Sequence, residues 1–307
     1  MNLRGAAAVC GLFLLASGLS GAEAPPVRRT GATVAEVLAS AKPGDWRPLD
    51  LENTLYMQVS GQRVVIELNP LFAPRHVANV KALAREHYYD GLAIVRVQDN
   101  YVTQWGDPEA GKAGTARPVQ HAQKTLPAEF DRALDRKVPF TRLPDGDVYA
   151  PEVGFSQGFP VARDPRRGRM WLVHNYGMVG AGRDEAADSG GGTELYVVIG
   201  HAARHLDRNV TLLGRVIQGM EALSALPRGK GAMGFYEKPE DRIPITSVQV
   251  AADVPVAERT PLEILRTDTP LFQRLVEARR NRRESWFKNP AGRVELANVP
   301  IPVRPKP

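Results

Sequence analysis

Arg96 is the residue from which a chemical reading of this chain starts. It lies in V-R-V-Q-D-N-Y-V-T-Q-W-G-D, residues 95–107, a run that alternates like a strand before the Gly106-Asp107 turn. A strand that needed only to fold would put apolar residues on one face and interchangeable polar ones on the other. This one presents Arg96, then Tyr101 with Val102, then Gln104. Together they would set a cationic donor, an apolar wall and an amide at the edge of one groove. The competing account of Arg96 is a solvated strand arginine.

The elements that must position these residues follow from pattern. Residues 53–60 and 62–68 are β-rich runs joined at Ser60-Gly61 and read as a hairpin. Pro74 opens a helical pattern with Val77, Val80, Leu83 and Ala84 on one face, ending near His87. Residues 108–176 are polar and rich in Pro and Gly, as in a long functional or disordered loop, and 151–169 read as a surface insertion. A second informative block, 177–199, carries Gly190, Gly191 and Gly192 and ends in a strand. No Lys follows those glycines and no helix starts there, so they do not form a phosphate cradle. Residues 218–226 read as a short helix and 243–251 as a last strand.

The order Arg96, Tyr101, Val102, Gln104, then Gly-Asp resembles the active-site strand pair of the cyclophilins, the peptidyl-prolyl cis/trans isomerases. In that family an aromatic follows the Arg by five residues, an apolar residue comes next and a Gln two further on. Strand, strand, helix and then the Arg strand is also the order in which cyclophilins begin. Within 177–199, Ala181 resembles a groove-floor residue and Tyr196 takes the place of a pocket aromatic. Leu126-Pro127-Ala128-Glu129-Phe130 resembles a short segment of bacterial members, and His205-Leu206-Asp207 resembles the family's Trp-or-His, Leu, Asp turn.

The resemblance implies a mainly β fold, a closed eight-stranded antiparallel barrel capped by two helices, over residues 51–254. It leaves a long inserted loop at about 108–176 and a C-terminal helical extension at 255–307. It further implies prolyl isomerisation with Arg96 and Gln104 as the catalytic pair. Tyr101, Val102, Ala181, Tyr196, His205 and Leu206 would bind substrate. Departures are Val95 where a His is usual, Val210 where a His or aromatic is common, Ala181 for a polar residue, Val102 for the frequent Met, and Glu194-Leu195 for Gln-aromatic. Such a reaction needs no nucleophile, metal or cofactor. His201 and His205 stand four apart, a metal-ligand spacing on a helix, but Gly200 and the expected loop argue for surface histidines.

Residues 1–22 have a short positive region at Arg4, an apolar run at 6–19 and small residues at the cleavage site, the pattern of a signal peptide. Cys10, the one cysteine, would leave with it, so the mature chain has no thiol chemistry. Export without disulfides points to a bacterial periplasm. Residues 23–50 read as a leader with one helical turn near 34–41. The net charge of +6 is uneven: 255–307 carries eleven Lys and Arg against six Asp and Glu, which leaves the body neutral. Thr260-Pro261 and Thr269-Pro270 each look like a helix start. The second leads into Arg279-Arg280-Asn281-Arg282-Arg283 and Trp286-Phe287, a basic helix that would bind an acidic partner or an anionic membrane surface, or pack on the barrel with a solvated end. Nucleic acid is excluded for an exported protein. Two functions follow: an exported isomerase acting on Pro-containing polypeptides, or a cyclophilin-shaped module that binds Pro-containing segments or an envelope partner with little turnover.

Overall fold

The computed structural model describes residues 31–201 and 203–307, so the expected signal peptide lies outside the described residues. Helix α1 (Val34–Ala39) and strand β1 (Trp46–Pro48) come first. The expected hairpin follows as β2 (Thr54–Val59) and β3 (Gln62–Leu68), turned at Ser60 and Gly61, whose φ values of 50° and 72° suit a two-residue hairpin turn. Helix α2 (Pro74–Arg85) leads to β4 (Ala93–Val97) and β5 (Val102–Gly106). The insertion supplies β6 (Arg132–Ala133), β7 (Thr141–Arg142), β8 (Glu152–Ser156), β9 (Phe159–Asp164) and β10 (Arg169–Leu172). Then come β11 (Met178–Ala181), β12 (Leu195–Val198), β13 (Leu212–Gln218), helix α3 (Met220–Ser224) and β14 (Ile243–Val250). The chain finishes with β15 (Leu262–Leu265), helix α4 (Pro270–Arg280) and β16 (Val303–Pro305).

Eight strands close a barrel in the order β11-β12-β5-β4-β14-β2-β3-β13, with β13 pairing back to β11 and every pair antiparallel. Alternate residues fill it: Leu55, Met57 and Val59 from β2, Val64, Ile66 and Leu68 from β3, with Ile94, Trp105, Val197 and Val248. Helices α2 and α3 add Val77, Val80, Leu83, Ala222 and Leu223 to the same core. Each fully buried aliphatic side chain stabilises the fold by about 1.5–3 kcal/mol relative to exposure. Pro74 starts α2 without a side-chain N-cap, and the Glu129 carboxylate does that job from the insertion, accepting from the Arg75 and His76 N–H groups at 3.1 and 3.0 Å.

The insertion is not a loop. Its strands form a five-stranded sheet, β6-β10-β9-β8-β7, and the 151–169 segment expected on the surface is the middle of it, with Val153, Phe155, Val161 and Ala162 buried. Nor do the leader and tail stand apart, since β1 pairs with β15 and β15 with β16. Thr260-Pro261 opens no helix: Leu262 and Ile264 alternate with Glu263 and are buried on one face of β15, so strand pairing wins over the capping pattern. Thr269 does cap α4, accepting from the Phe272 N–H at 3.3 Å, but that helix packs on α1 and the inserted sheet. Leu271, Phe272, Leu275 and Val276 join Val37, Phe155 and Trp171 in a second core, where the Phe155 and Phe272 rings meet edge to face at 5.4 Å. An ion pair ties strand β1 to the barrel. Glu67 of β3 holds both Arg47 of β1 and Arg215 of β13, at 2.5 and 3.0 Å.

Candidate active site

Strands β4 and β5 pair with a register shift between Ile94 and Arg96, and beyond it Arg96 stands opposite Gln104. The Arg96 guanidinium donates through one terminal nitrogen to Gln104 Oε1 at 3.1 Å, through the other to Gln98 Oε1, and through Nε to the Met233 carbonyl at 2.7 Å. It lies 5.4 Å from the Tyr101 ring centre and 5.3 Å from that of Phe235. Gln104 in turn donates from Nε2 to Glu194 Oε2 at 2.8 Å. Partial burial draws the guanidinium pKa down, with Tyr101 opposing.

Beside this cation Val102, Tyr196 and Val198 form a buried apolar cluster, with Tyr101 and Val210 packed against it. The strands explain the grouping. Tyr196 of β12 is the register partner of Gln104 on one side and of Gly180 on the other. The phenol end of its ring lies over Gly180, where an added Cβ would sit 2.3 Å from a ring atom, so any side chain at 180 would evict it.

Ala181, expected in the groove floor, is a correction. It points into the barrel core with its partner Leu195, because successive residues of a strand face opposite sides, and Gly180 takes the groove position. His205 and Leu206 occupy a 3₁₀ turn, Arg204–Leu206, with His205 exposed and Leu206 half-buried. Arg204 pins that turn to the insertion, donating to both Asp147 oxygens at 2.7 and 2.9 Å and to Asp207 at 2.9 Å. Arg96, Gln104, Tyr101, Val102 and Tyr196 are thus brought together directly, while the His205–Leu206 turn reaches them through Asp207, which accepts from the His174 N–H at 2.9 Å.

Four neighbours escaped sequence reasoning, Gln98, His174, Met233 and Phe235, and Glu194 was read only as a departure from the family pattern. His174 comes from the insertion, is fully buried and stacks between Tyr101 and Tyr196, with ring centres 6.4 and 5.8 Å away. Neither of its ring nitrogens nor the Tyr196 hydroxyl has a hydrogen-bond partner among the described residues. Burial draws its pKa down to about 4, aided by His205 and Arg204. Met233 and Phe235 belong to a glycine-rich segment that runs beside β4, with Gly229 and Tyr236 N–H groups donating to the Val97 and Val95 carbonyls. The aromatic pair Phe235-Tyr236 directly after Gly229, Gly231 and Gly234 was the one available signal.

Comparison with known proteins gives a consistent picture. A family model described as "Cyclophilin type peptidyl-prolyl cis-trans isomerase/CLD" matches residues 54–250. A "Probable peptidyl-prolyl cis-trans isomerase" of Brucella suis is 28% identical over 200 residues, 63% of this chain and 81% of that protein. A "Putative thylakoid lumen peptidyl-prolyl cis-trans isomerase" of Synechocystis is 24% identical over 183 residues, 57% of this chain and 44% of that protein. The crystal structure of cyclophilin AquaCyp293 from Hirschia baltica superposes with a TM-score of 0.66 at 25% identity, covering 89% of this chain and 98% of that one.

Proposed function

Since the chain belongs to the cyclophilin-type peptidyl-prolyl cis-trans isomerases, we propose that it accelerates rotation about X-Pro bonds in exported polypeptides by non-covalent stabilisation of the twisted peptide through Arg96. The peptide bond is held planar behind a barrier of about 18–20 kcal/mol, and an X-Pro bond turns over unaided in tens to hundreds of seconds. Twisting it localises the lone pair on the prolyl nitrogen. A guanidinium at that nitrogen meets an acceptor that exists only in the twisted state, which is the condition for raising a rate.

The observation that carries this reading is the placement of Arg96 between two aromatic rings, bonded to Gln104 and adjacent to the Tyr101–Val102–Tyr196 cluster. Three of its five N–H groups are used by Met233, Gln98 and Gln104, which leaves two for a substrate. Tyr101, Val102 and Tyr196 would hold the proline ring, with Leu206 and His205 at its rim, while Gln104 holds Arg96. One charge-assisted hydrogen bond is worth about 1.5–3 kcal/mol, or about one to two powers of ten in rate. The remainder would come from gripping the ring and excluding water. A protease-coupled assay on an Ala-Pro peptide should show isomerisation that Arg96→Ala lowers by about 10- to 100-fold.

Export is supported by the signal-peptide pattern of 1–22 and its apolar run. A second reading, a binding module with little turnover, is favoured by the engagement of all three Arg96 nitrogens. Inactivity of the wild-type chain in the same assay would select it. For a basic tail docked on an acidic partner or an anionic membrane surface, the support is narrower than the sequence suggested. Arg280 is paired with Asp145 at 2.9 Å and Arg282 with Glu284 at 3.0 Å, although Trp286 beside them is 79% exposed.

A further inference from the structure

We propose that Glu194 is a positioning residue for this isomerase: its carboxylate fixes which way round the Gln104 amide sits, and so holds the amide oxygen on Arg96. The inference rests on the reading of Arg96 as the catalytic cation and goes beyond it by assigning a role to a residue that otherwise counts as a departure from the family pattern.

An amide side chain has an oxygen that accepts and a nitrogen that donates, in nearly the same shape, and its orientation is set by its neighbours. Gln104 lies between two that make opposite demands. Arg96 is a donor only, so it requires the oxygen, which it receives at 3.1 Å. Ionised Glu194 is an acceptor only, so it requires the NH₂ group, which it receives at 2.8 Å. Each contact enforces the other, and the flipped amide would lose both.

The fold makes room for this side chain deliberately. Glu194 stands just before β12, against Gly106 at the end of β5, where an added Cβ would fall 2.6 Å from Glu194 Cγ. Glu194 is half-buried, and burial raises its pKa, with Asp184 and Asp107 adding repulsion and the Gln104 hydrogen bond opposing. The other groups that feel it are Tyr88 and, through Gln104, Arg96. It forms no ion pair among the described residues.

With the carboxylate ionised the relay is locked. As pH falls through the raised pKa the acid gains a proton and becomes donor as well as acceptor. The Gln104 amide then finds a partner in Glu194 either way round, and in one of the two it turns its NH₂ group toward the guanidinium, donor against donor. The interaction acts on the group that meets the twisted bond, so its loss falls on kcat and leaves KM unchanged.

The test is exchange NMR on an Ala-Pro peptide from pH 5 to 8 with wild type, Glu194→Gln, Gly106→Ala and Arg96→Ala. The expected result is a wild-type kcat that declines about three- to tenfold on the acid side. Glu194→Gln should show no such decline and should sit near the wild-type acid value throughout, with KM and melting temperature unchanged. Gly106→Ala, which displaces the carboxylate, should lower kcat at pH 7.5 likewise. A Glu194→Gln enzyme with wild-type kcat and the wild-type acid limb overturns the inference while leaving the isomerase reading intact. Absence of any exchange that Arg96→Ala removes overturns both.

Discussion

The barrel and the layer beside it differ in how their cores are gathered. The barrel takes its interior from strands with regular alternation, joined by hairpins and short helices, and fills it with aliphatic side chains. The second layer gathers Val37 from the leader, Phe155 and Trp171 from the insertion, and Phe272 and Val299 from the tail, segments far apart in sequence. Its attachments to the barrel are both polar and apolar: Arg47 on Glu67, Asp147 on Arg204, His174 N–H on Asp207, and Phe159, Val161, Met170 and Leu172 packed on Phe72, Met178 and Leu212. The proposed chemistry lies wholly on barrel strands, while the layer contributes His174 and a clamp on the His205–Leu206 turn. A sequence-legible frame thus carries the cation, and an illegible one adjusts the walls around it. The superposition on AquaCyp293 covers 89% of this chain, more than residues 54–250 alone, so the added layer has a counterpart in that cyclophilin.

Breaking the layer without touching the barrel separates the two. Phe272 is fully buried in the second core, and Phe272→Ala should cost about 3–5 kcal/mol in urea unfolding. Hydrogen exchange should quicken most in β8 and β9. Turnover of an Ala-Pro peptide at low temperature should stay within about twofold, and a parallel collapse of activity would mean that the layer is part of the catalytic apparatus.

The boundary between them is sharpened by pH. His174 is neutral in the fold, its pKa drawn from 6.5 to about 4, whereas in the unfolded chain it protonates near 6.5. Its contribution to stability is therefore complete above the unfolded value and is lost as pH falls from there toward the folded value, on the order of 3 kcal/mol in total. His174→Phe should flatten that part of the stability profile, read as urea midpoints at pH 7.5 and 4. Parallel profiles for the two proteins would contradict the assignment.

The smallest effect is expected from the clamp. Asp147→Ala removes two hydrogen bonds to Arg204, which keeps Asp207, so the loss should be about 1–3 kcal/mol of stability. Loosening the His205–Leu206 turn should raise KM and spare kcat. A drop in kcat with KM unchanged would place that turn in the transition-state machinery instead.

Much of the barrel could be read from residue patterns because β2 and β3 are runs of β-forming residues around a Ser-Gly turn, α2 buries helically spaced apolar residues and β14 buries roughly alternate ones, and the expected bounds lie within a few residues of the observed ones. The pair Arg96 and Gln104 was legible because its spacing resembles that of the cyclophilins, and the register of β4 and β5 sets the two residues opposite each other. Ala181 was misassigned because one residue of offset in a strand exchanges groove for core. The insertion was opaque for a different reason: β6 and β7 are two residues long, and Pro160 and Gly154 interrupt the patterns of β9 and β8. His174 and Phe235 reach the site only through tertiary packing, which no local periodicity encodes.

The central claim is that Arg96 acts on the twisted bond and not on substrate affinity. Its most direct test is to measure, on one proline peptide, both the dissociation constant and the NMR exchange rate at saturation for wild type and Arg96→Ala. The account predicts affinity within about threefold and exchange slower by about 10- to 100-fold. Equal losses in affinity and exchange, or unchanged exchange, would contradict it.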